Sequence, residues 1–309
     1  MPQKNKAAAK KPKSLSAHLR ALEAEALKRS SYDMLSEGVY AGILKNGFIK
    51  SFEFAAYANR KRPRHVDEGA FFMASALRGI CEDLIALKFL HQLPRPLRDE
   101  VVMIDVMLAN IKTSNEQAKF FKEVRPFQPV LTLQNDVTAI NKMKDRLTEI
   151  GGTSGLWKVE KKLPPIEQMA NAVGLKATYD YFYRVTSDTV HFNPRIELRN
   201  GWGKSPDKSR FGAKNFSRYY LFFSQVYSIF LFNAFCHSFK EELGLDDQFM
   251  KDLSGLEGTL NKINRWPEAL TFEEMNRPSP NIILRAALQA AHESKREQKR
   301  ESRAKSSST

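Results

Sequence analysis

Residues 219–236 read YYLFFSQVYSIFLFNAFC, and the place of this segment in the protein decides the fold. It is long enough to be weighed as a membrane span. Against a span, Ser224, Gln225, Ser228 and Asn233 interrupt the apolar run. Its aromatic residues are also spread along the whole segment instead of gathering in two interfacial belts. No second candidate span of comparable length occurs in the chain. The expectation is a core helix, apolar on nearly all sides, in a protein with no membrane partner.

Such a helix needs apolar neighbours, and residues 70–90, AFFMASALRGICEDLIALKFL, supply one. This segment is also apolar almost all round, as a buried helix is. Outward from these two, the apolar period is helical nearly everywhere. Ser14 or Ser16 can cap a first helix whose stripe is Leu15, Leu19, Leu22 and Leu27. A second helix spans about Tyr32 to Lys45, with Asn46-Gly47 as its stop. Asp67 caps the helix that runs to about Leu90 and ends near Pro94 and Pro96. Further helices cover about Leu97 to Val124 and Asp136 to Ile150, the latter closed by Gly151-Gly152. A short helix opens at Pro164-Pro165, and the next runs from about Leu175 to His191. The stretch RIELRNGWGKSPDKSRFG, residues 195–212, is the least helical and reads as a strand pair turning at Asn200-Gly201 or an irregular loop. The aromatic helix then extends from about Asn215 to Leu243, and a last helix from about Pro280 to Lys295. The fold class is all-α: a multi-helix bundle with a short irregular or hairpin insertion near 195–212.

The 309 residues are 42% hydrophobic and include 21 Phe, enough for a sizeable core. The net charge of +14 suggests nucleic acid until it is divided by segment. Residues 1–13 carry +5 and residues 295–305 carry +4, which leaves only +5 for the body. Both ends are Lys-, Ala- and Ser-rich without apolar period, and read as disordered basic tails flanking one helical domain over 14–294. Tails of this kind attract RNA, DNA or anionic membranes without sequence preference, or simply keep the chain soluble. Cys81 and Cys236 lie in apolar helices, as free thiols of a reducing compartment do. No apolar segment follows the basic N-terminus, so the chain is placed in the cytoplasm.

The chemistry-bearing residues concentrate on two helices. In 175–191, LKATYDYFYRVTSDTVH, Arg184 and His191 are seven residues apart and stand almost on one line, separated by roughly 10 Å. Asp180, Ser187 and Asp188 share that face by three- and four-residue spacing. A polar stripe of this kind is either a solvated face with an ordinary Asp180–Arg184 pair or the lining of a cleft. The apolar helix 70–90 favours the cleft. It carries Arg78 and Glu82 one turn apart, and charge on a buried helix must be paired or reach a polar site.

The string Tyr183-Arg184-x-x-Ser187-x-x-x-His191, with Arg78-x-x-x-Glu82 before it, resembles a bacterial family of unknown function. The six residues between Arg184 and His191 are also similar to the Arg-x(4–6)-His motif of the HEPN superfamily, helical domains that include metal-independent ribonucleases of toxin and phage-defence systems. The likeness covers about residues 70–200 and implies an HEPN-like core over about 67–200. It implies RNA as substrate, His191 as acid/base, Arg184 as phosphate clamp, and Asp188 or Glu82 as orienting groups beside Arg78 and Ser187. It further implies a homodimer whose two motifs line one groove, and an antitoxin or other defence-system partner. The chain departs from the family where a polar residue usually follows the arginine, since Val185 stands there. The alternative is a non-catalytic helical module that binds nucleotide, RNA or a protein through the same polar cleft.

Other candidates carry less. Arg60, Lys61, Arg62 and Arg64 form a basic linker that can touch phosphates or stay solvated. Gly203-Lys204-Ser205 lacks the glycine a phosphate-binding loop needs five positions earlier, where Leu198 stands, and Pro206 follows. His18, His65, His91, His191, His237 and His292 are scattered, so no zinc spacing is present and no cofactor is expected.

Overall fold

A computed structural model describes residues 14–60, 69–133, 136–158, 161–191, 193–201, 212 and 215–270. Among them are eleven helices and no strand: α1 (Leu15–Arg29), α2 (Met34–Glu37), α3 (Val39–Asn59), α4 (Ala70–Leu90), α5 (Arg95–Val124), α6 (Val137–Ser154), α7 (Ile166–Ala172), α8 (Lys176–Val190), α9 (Pro194–Gly201), α10 (Ser217–Ser238) and α11 (Asp247–Leu260). The protein is an all-α multi-helix bundle. The expected Asp67 cap, the tails and the helix over Pro280–Lys295 lie outside the described residues.

Helix α10 occupies the centre, packed against α3 on one side and α4 on the other. Phe223, Phe232, Phe235 and Cys236 are fully buried. The Phe232 ring meets Phe48 and Phe52 of α3 at 5.9 and 5.5 Å between centroids. Ser217–Ser238 has the length and composition to cross a membrane, and 67% of its most apolar window is buried inside the protein. Both cysteines are free and buried, and burial beside Glu82 pushes the Cys81 thiol up to about 12.

The remaining helices form a shell. Ser14 caps α1 by accepting from the Ala17 amide at 3.3 Å. Helix α1 packs on α3 and α11, and Arg29 donates to Asp246, the N-cap of α11, at 2.7 Å. Helices α7 and α8 lie on the outer side of α4. Helix α5 is 30 residues long, about 45 Å at 1.5 Å per residue. Its first turns bury Val101, Val102 and Ile104, and the helix packs on α3 and α6. Arg146 of α6 clasps Glu100 of α5 by two hydrogen bonds at 2.7 and 2.9 Å.

The structure departs from the sequence expectation at two helix ends and in one segment. Helix α3 runs straight through Asn46-Gly47. Gly47 is a contact point: a Cβ there would lie 2.9 Å from Leu87 and 3.0 Å from Phe235, so the missing side chain lets three helices approach. Helix α6 likewise passes Gly151-Gly152 and stops at Gly155, which takes the left-handed conformation. Gly151 makes room for the indole of Trp157, whose Nε1 would sit 2.2 Å from a Cβ. Residues 194–201 form α9, neither a strand pair nor an irregular loop. Asn193 caps its start by accepting from the Arg195 amide at 2.9 Å.

Candidate functional site

Helix α8 is positioned by its apolar face. Phe182 and Thr186 are buried, and Val185 packs against the core. The Tyr181 hydroxyl donates to that of Tyr227 on α10 at 2.8 Å, and the Tyr227 hydroxyl donates to the Pro267 carbonyl at 2.9 Å. The segment around Pro267 is thus strapped across α8 and α10. With that face turned inward, the opposite stripe is set outward.

On the flank shared with α4, Arg78 is the hub. Its Nε donates to Glu82 Oε1 at 2.7 Å, its guanidinium lies 4.6 Å from the centre of the Tyr183 ring, and a terminal nitrogen reaches Ser187 Oγ at 3.4 Å. Both members of the ion pair are half-buried, with side chains 26% and 29% exposed. The Glu82 hydrogen bond raises the Arg78 pKa further, so the guanidinium stays charged. Ser75 of α4 meets Thr189 of α8 at 3.3 Å and extends the polar seam. Tyr183 stands four residues before Ser187 on α8. A helical wheel places it next to Ser187, so its role was legible in the spacing.

The outward stripe holds Asp180, Arg184 and His191, all exposed. Asp180 pairs with Lys176, which also reaches Glu167 of α7 at 3.2 Å. The Asp180–Arg184 pair of the solvated-face alternative is therefore not the one formed. Among the described residues, neither the Arg184 nor the His191 side chain has a hydrogen-bond or ion-pair partner. His191 ends α8, and its amide donates to the Ser187 carbonyl at 2.9 Å. Ser187 stands between the two, three residues from Arg184 and four from His191. It joins the exposed stripe to the Arg78 hub.

Asp188 takes another direction. It is 8% exposed, paired with Arg195 of α9 and hydrogen-bonded by Asn193. Arg195 and the buried Arg199 both donate to the Ala269 carbonyl, at 3.4 and 2.9 Å. Asp188 thus fixes the corner between α8 and α9, directly after His191. Arg60 is exposed and lies 3.8 Å from Glu23; Lys61, Arg62 and Arg64 lie outside the described residues. Among the described residues, no group of three or more His, Cys, Asp or Glu side chains is placed to hold a metal ion.

What the fold and site define is an all-α protein with Arg184, Ser187 and His191 on one stripe at the end of a helix and a buttressed arginine beside it. Residues 73–208 match DUF5677, a family of unknown function. The matched stretch contains Arg78, Glu82, Arg184, Ser187, Asp188 and His191. Neither the curated proteins nor the solved structures contain a match to the chain.

Proposed function

We propose that the protein is an HEPN-like, metal-independent endoribonuclease, with Arg184 and His191 as its working pair. The observation that carries this is their shared exposure on one line of α8 with no partner among the described residues, while nearby charges are paired off. An unpaired arginine can hold a phosphate through two hydrogen bonds and offset developing negative charge. A histidine is the side chain suited to moving protons near neutrality. The RNA supplies its own nucleophile: the 2′-oxygen attacks the adjacent phosphorus and the bond to the 5′-oxygen breaks. The products are a 2′,3′-cyclic phosphate and a 5′-hydroxyl. His191 takes the proton from the 2′-hydroxyl or delivers one to the leaving oxygen, and a second copy's histidine serves the other step. Ser187, fixed by Arg78, is placed to bind a phosphate oxygen between the two.

The second reading is RNA binding without cleavage. It is favoured by Val185, which packs inward and leaves no polar group directly after Arg184. In either form the setting is cytoplasmic, in phage defence or a toxin system, with a protein partner that restrains it. Purified full-length protein is incubated with RNA in EDTA beside His191→Ala and Arg184→Ala. Cleavage unaffected by EDTA and lost in both variants supports the ribonuclease. Wild type and variants equally inert, with RNA still bound in a salt-dependent manner, would transfer the assignment to the binding module.

A further inference from the structure

A trough of about 880 Å³ lies between α5, α6 and residues 161–162. Its α5 side extends from Asp105 to Lys119, about 21 Å at 1.5 Å per residue. Its floor is apolar, made by Leu108 and Ile111 of α5 with Ile140 and Leu147 of α6. Leu147 is buried and the other three are half-buried.

The rim is cationic. Lys112, Lys119, Lys144, Lys161 and Lys162 line the trough against two acids, Asp105 and Glu116. Neighbouring acids offset only part of that charge. Glu116 takes Lys119 at 2.9 Å, and Asp145 takes Lys161 at 3.3 Å. Neither the Lys112 nor the Lys144 ammonium has a hydrogen-bond or ion-pair partner among the described residues. Lys144 is half-buried, and covering an ammonium that nothing offsets costs stability. Unmatched cations over an apolar floor suit an occupant with a negative head and an apolar body.

Shape and chemistry separate the possible occupants. Single-stranded RNA is held by stacking its bases on aromatic rings, and no aromatic side chain is among the described residues that line the trough. A partner helix is a cylinder at least 10 Å across, so a length of 21 Å fills roughly 1,600 Å³, nearly twice the space present. Sites for small molecules occupy about 300–1,000 Å³ and combine apolar walls with a few placed polar groups. We infer that the trough binds one molecule of an anionic amphiphile, with an elongated apolar body along the floor and a carboxylate or phosphate head between Lys112 and Lys144. An ammonium acts as a point charge and accepts either head. Helix α5 packs on α3 and α6, whereas α8 packs on α4, α7 and α9. The site is therefore distinct from the Arg184–His191 stripe and stands whether or not the protein cleaves RNA.

The test is calorimetric titration of the full chain with decanoate and with decyl phosphate, each below its micelle concentration. Decanol and decyltrimethylammonium serve as the uncharged and cationic counterparts. One molecule of either anion should bind per chain, about tenfold or more tighter than the alcohol, and the affinity should fall in 0.5 M NaCl. Lys112→Glu, at an exposed position, should weaken both anions by about tenfold. Ala118→Trp fills the trough without changing its charge and should abolish binding, with helical circular dichroism kept in both variants. No binding of either anion, equal affinity for the alcohol, or binding unmoved by both substitutions overturns the inference. So does co-sedimentation with anionic phospholipid vesicles that Ala118→Trp leaves intact, which would make the lysines a membrane-facing surface. A glutamate-rich amphipathic peptide that binds where decanoate does not would assign the trough to a protein partner and overturn it equally.

Discussion

Arg78 and Glu82 set a quantitative test of whether the α4–α8 seam is a built polar site. The perturbation is a double-mutant cycle: Arg78→Ala, Glu82→Ala and both together. Two unit charges about 4 Å apart attract by about 4 kcal/mol at an effective dielectric of about 20. Desolvation and the ordering of two long side chains remove most of that. Fully exposed pairs one turn apart retain about 0.3–0.5 kcal/mol, whereas breaking a fully buried pair costs about 3–5 kcal/mol. With roughly three quarters of each side chain covered, the coupling should be about 1–2 kcal/mol. The single variants should also differ. Arg78→Ala additionally loses the Tyr183 ring and Ser187, so it should be the more destabilising by about 0.5–1.5 kcal/mol. The assay is urea unfolding followed by circular dichroism, at low salt and in 0.5 M NaCl. A coupling below about 0.5 kcal/mol that vanishes in salt would make the pair an ordinary solvated one. Equal losses in the two single variants would remove Tyr183 and Ser187 from the seam.

Other substitutions test the packing. Phe232→Ala opens a cavity between α10 and α3 and should cost about 3–5 kcal/mol in the same unfolding assay. Gly151→Ala and Gly152→Ala, adjacent on α6, should act with opposite sign. The first meets Trp157 and should destabilise by about 1–3 kcal/mol with a shift in tryptophan emission. The second meets nothing within 4 Å and should stabilise by about 0.5–1 kcal/mol. The Arg146 hydrogen bonds hold the Glu100 pKa below its ordinary value. The folded state therefore favours the ionised form, and the resulting stability is present above the unfolded pKa and lost as pH falls through the folded one. The melting-temperature gap between wild type and Glu100→Gln should be full at pH 7 and close towards pH 3; a gap independent of pH would show that the carboxylate charge contributes nothing.

Much of the fold could be read because long apolar helices leave few alternatives. The segments 70–90 and 219–236 are too apolar for a surface, and both are core. The misplaced ends share one cause. Glycine permits a helix to stop, and equally permits another element to come close. At Gly47 and Gly151 the second use prevails, and the groups that decide it, Leu87, Phe235 and Trp157, are remote in sequence or beyond the helix end. Helix α11 went unread although Asp246 caps it and Phe249, Leu253, Leu256 and Leu260 form a regular buried stripe; that signal was present.

For the site, local spacing named the face but not the partners within it. Asp180 has a cation four residues away on each side. The order acid-then-base, which favours Arg184 in an isolated helix, yields to Lys176 because Glu167 of α7 draws the same ammonium. Asp188 sits on the edge of the stripe, and the return of the chain at Asn193-Pro194 brings Arg195 onto it. Both acids that spacing assigned to the stripe are thereby taken by other cations. Arg184 and His191 are left as the groups without a partner among the described residues. A charged or titratable pair that the fold leaves unmatched, on a helix whose other charges it matches, is better explained by a ligand with negative charge than by stability. The pairing of Asp180 with Lys176 and of Asp188 with Arg195 is therefore what supports the proposed anionic substrate at the end of α8.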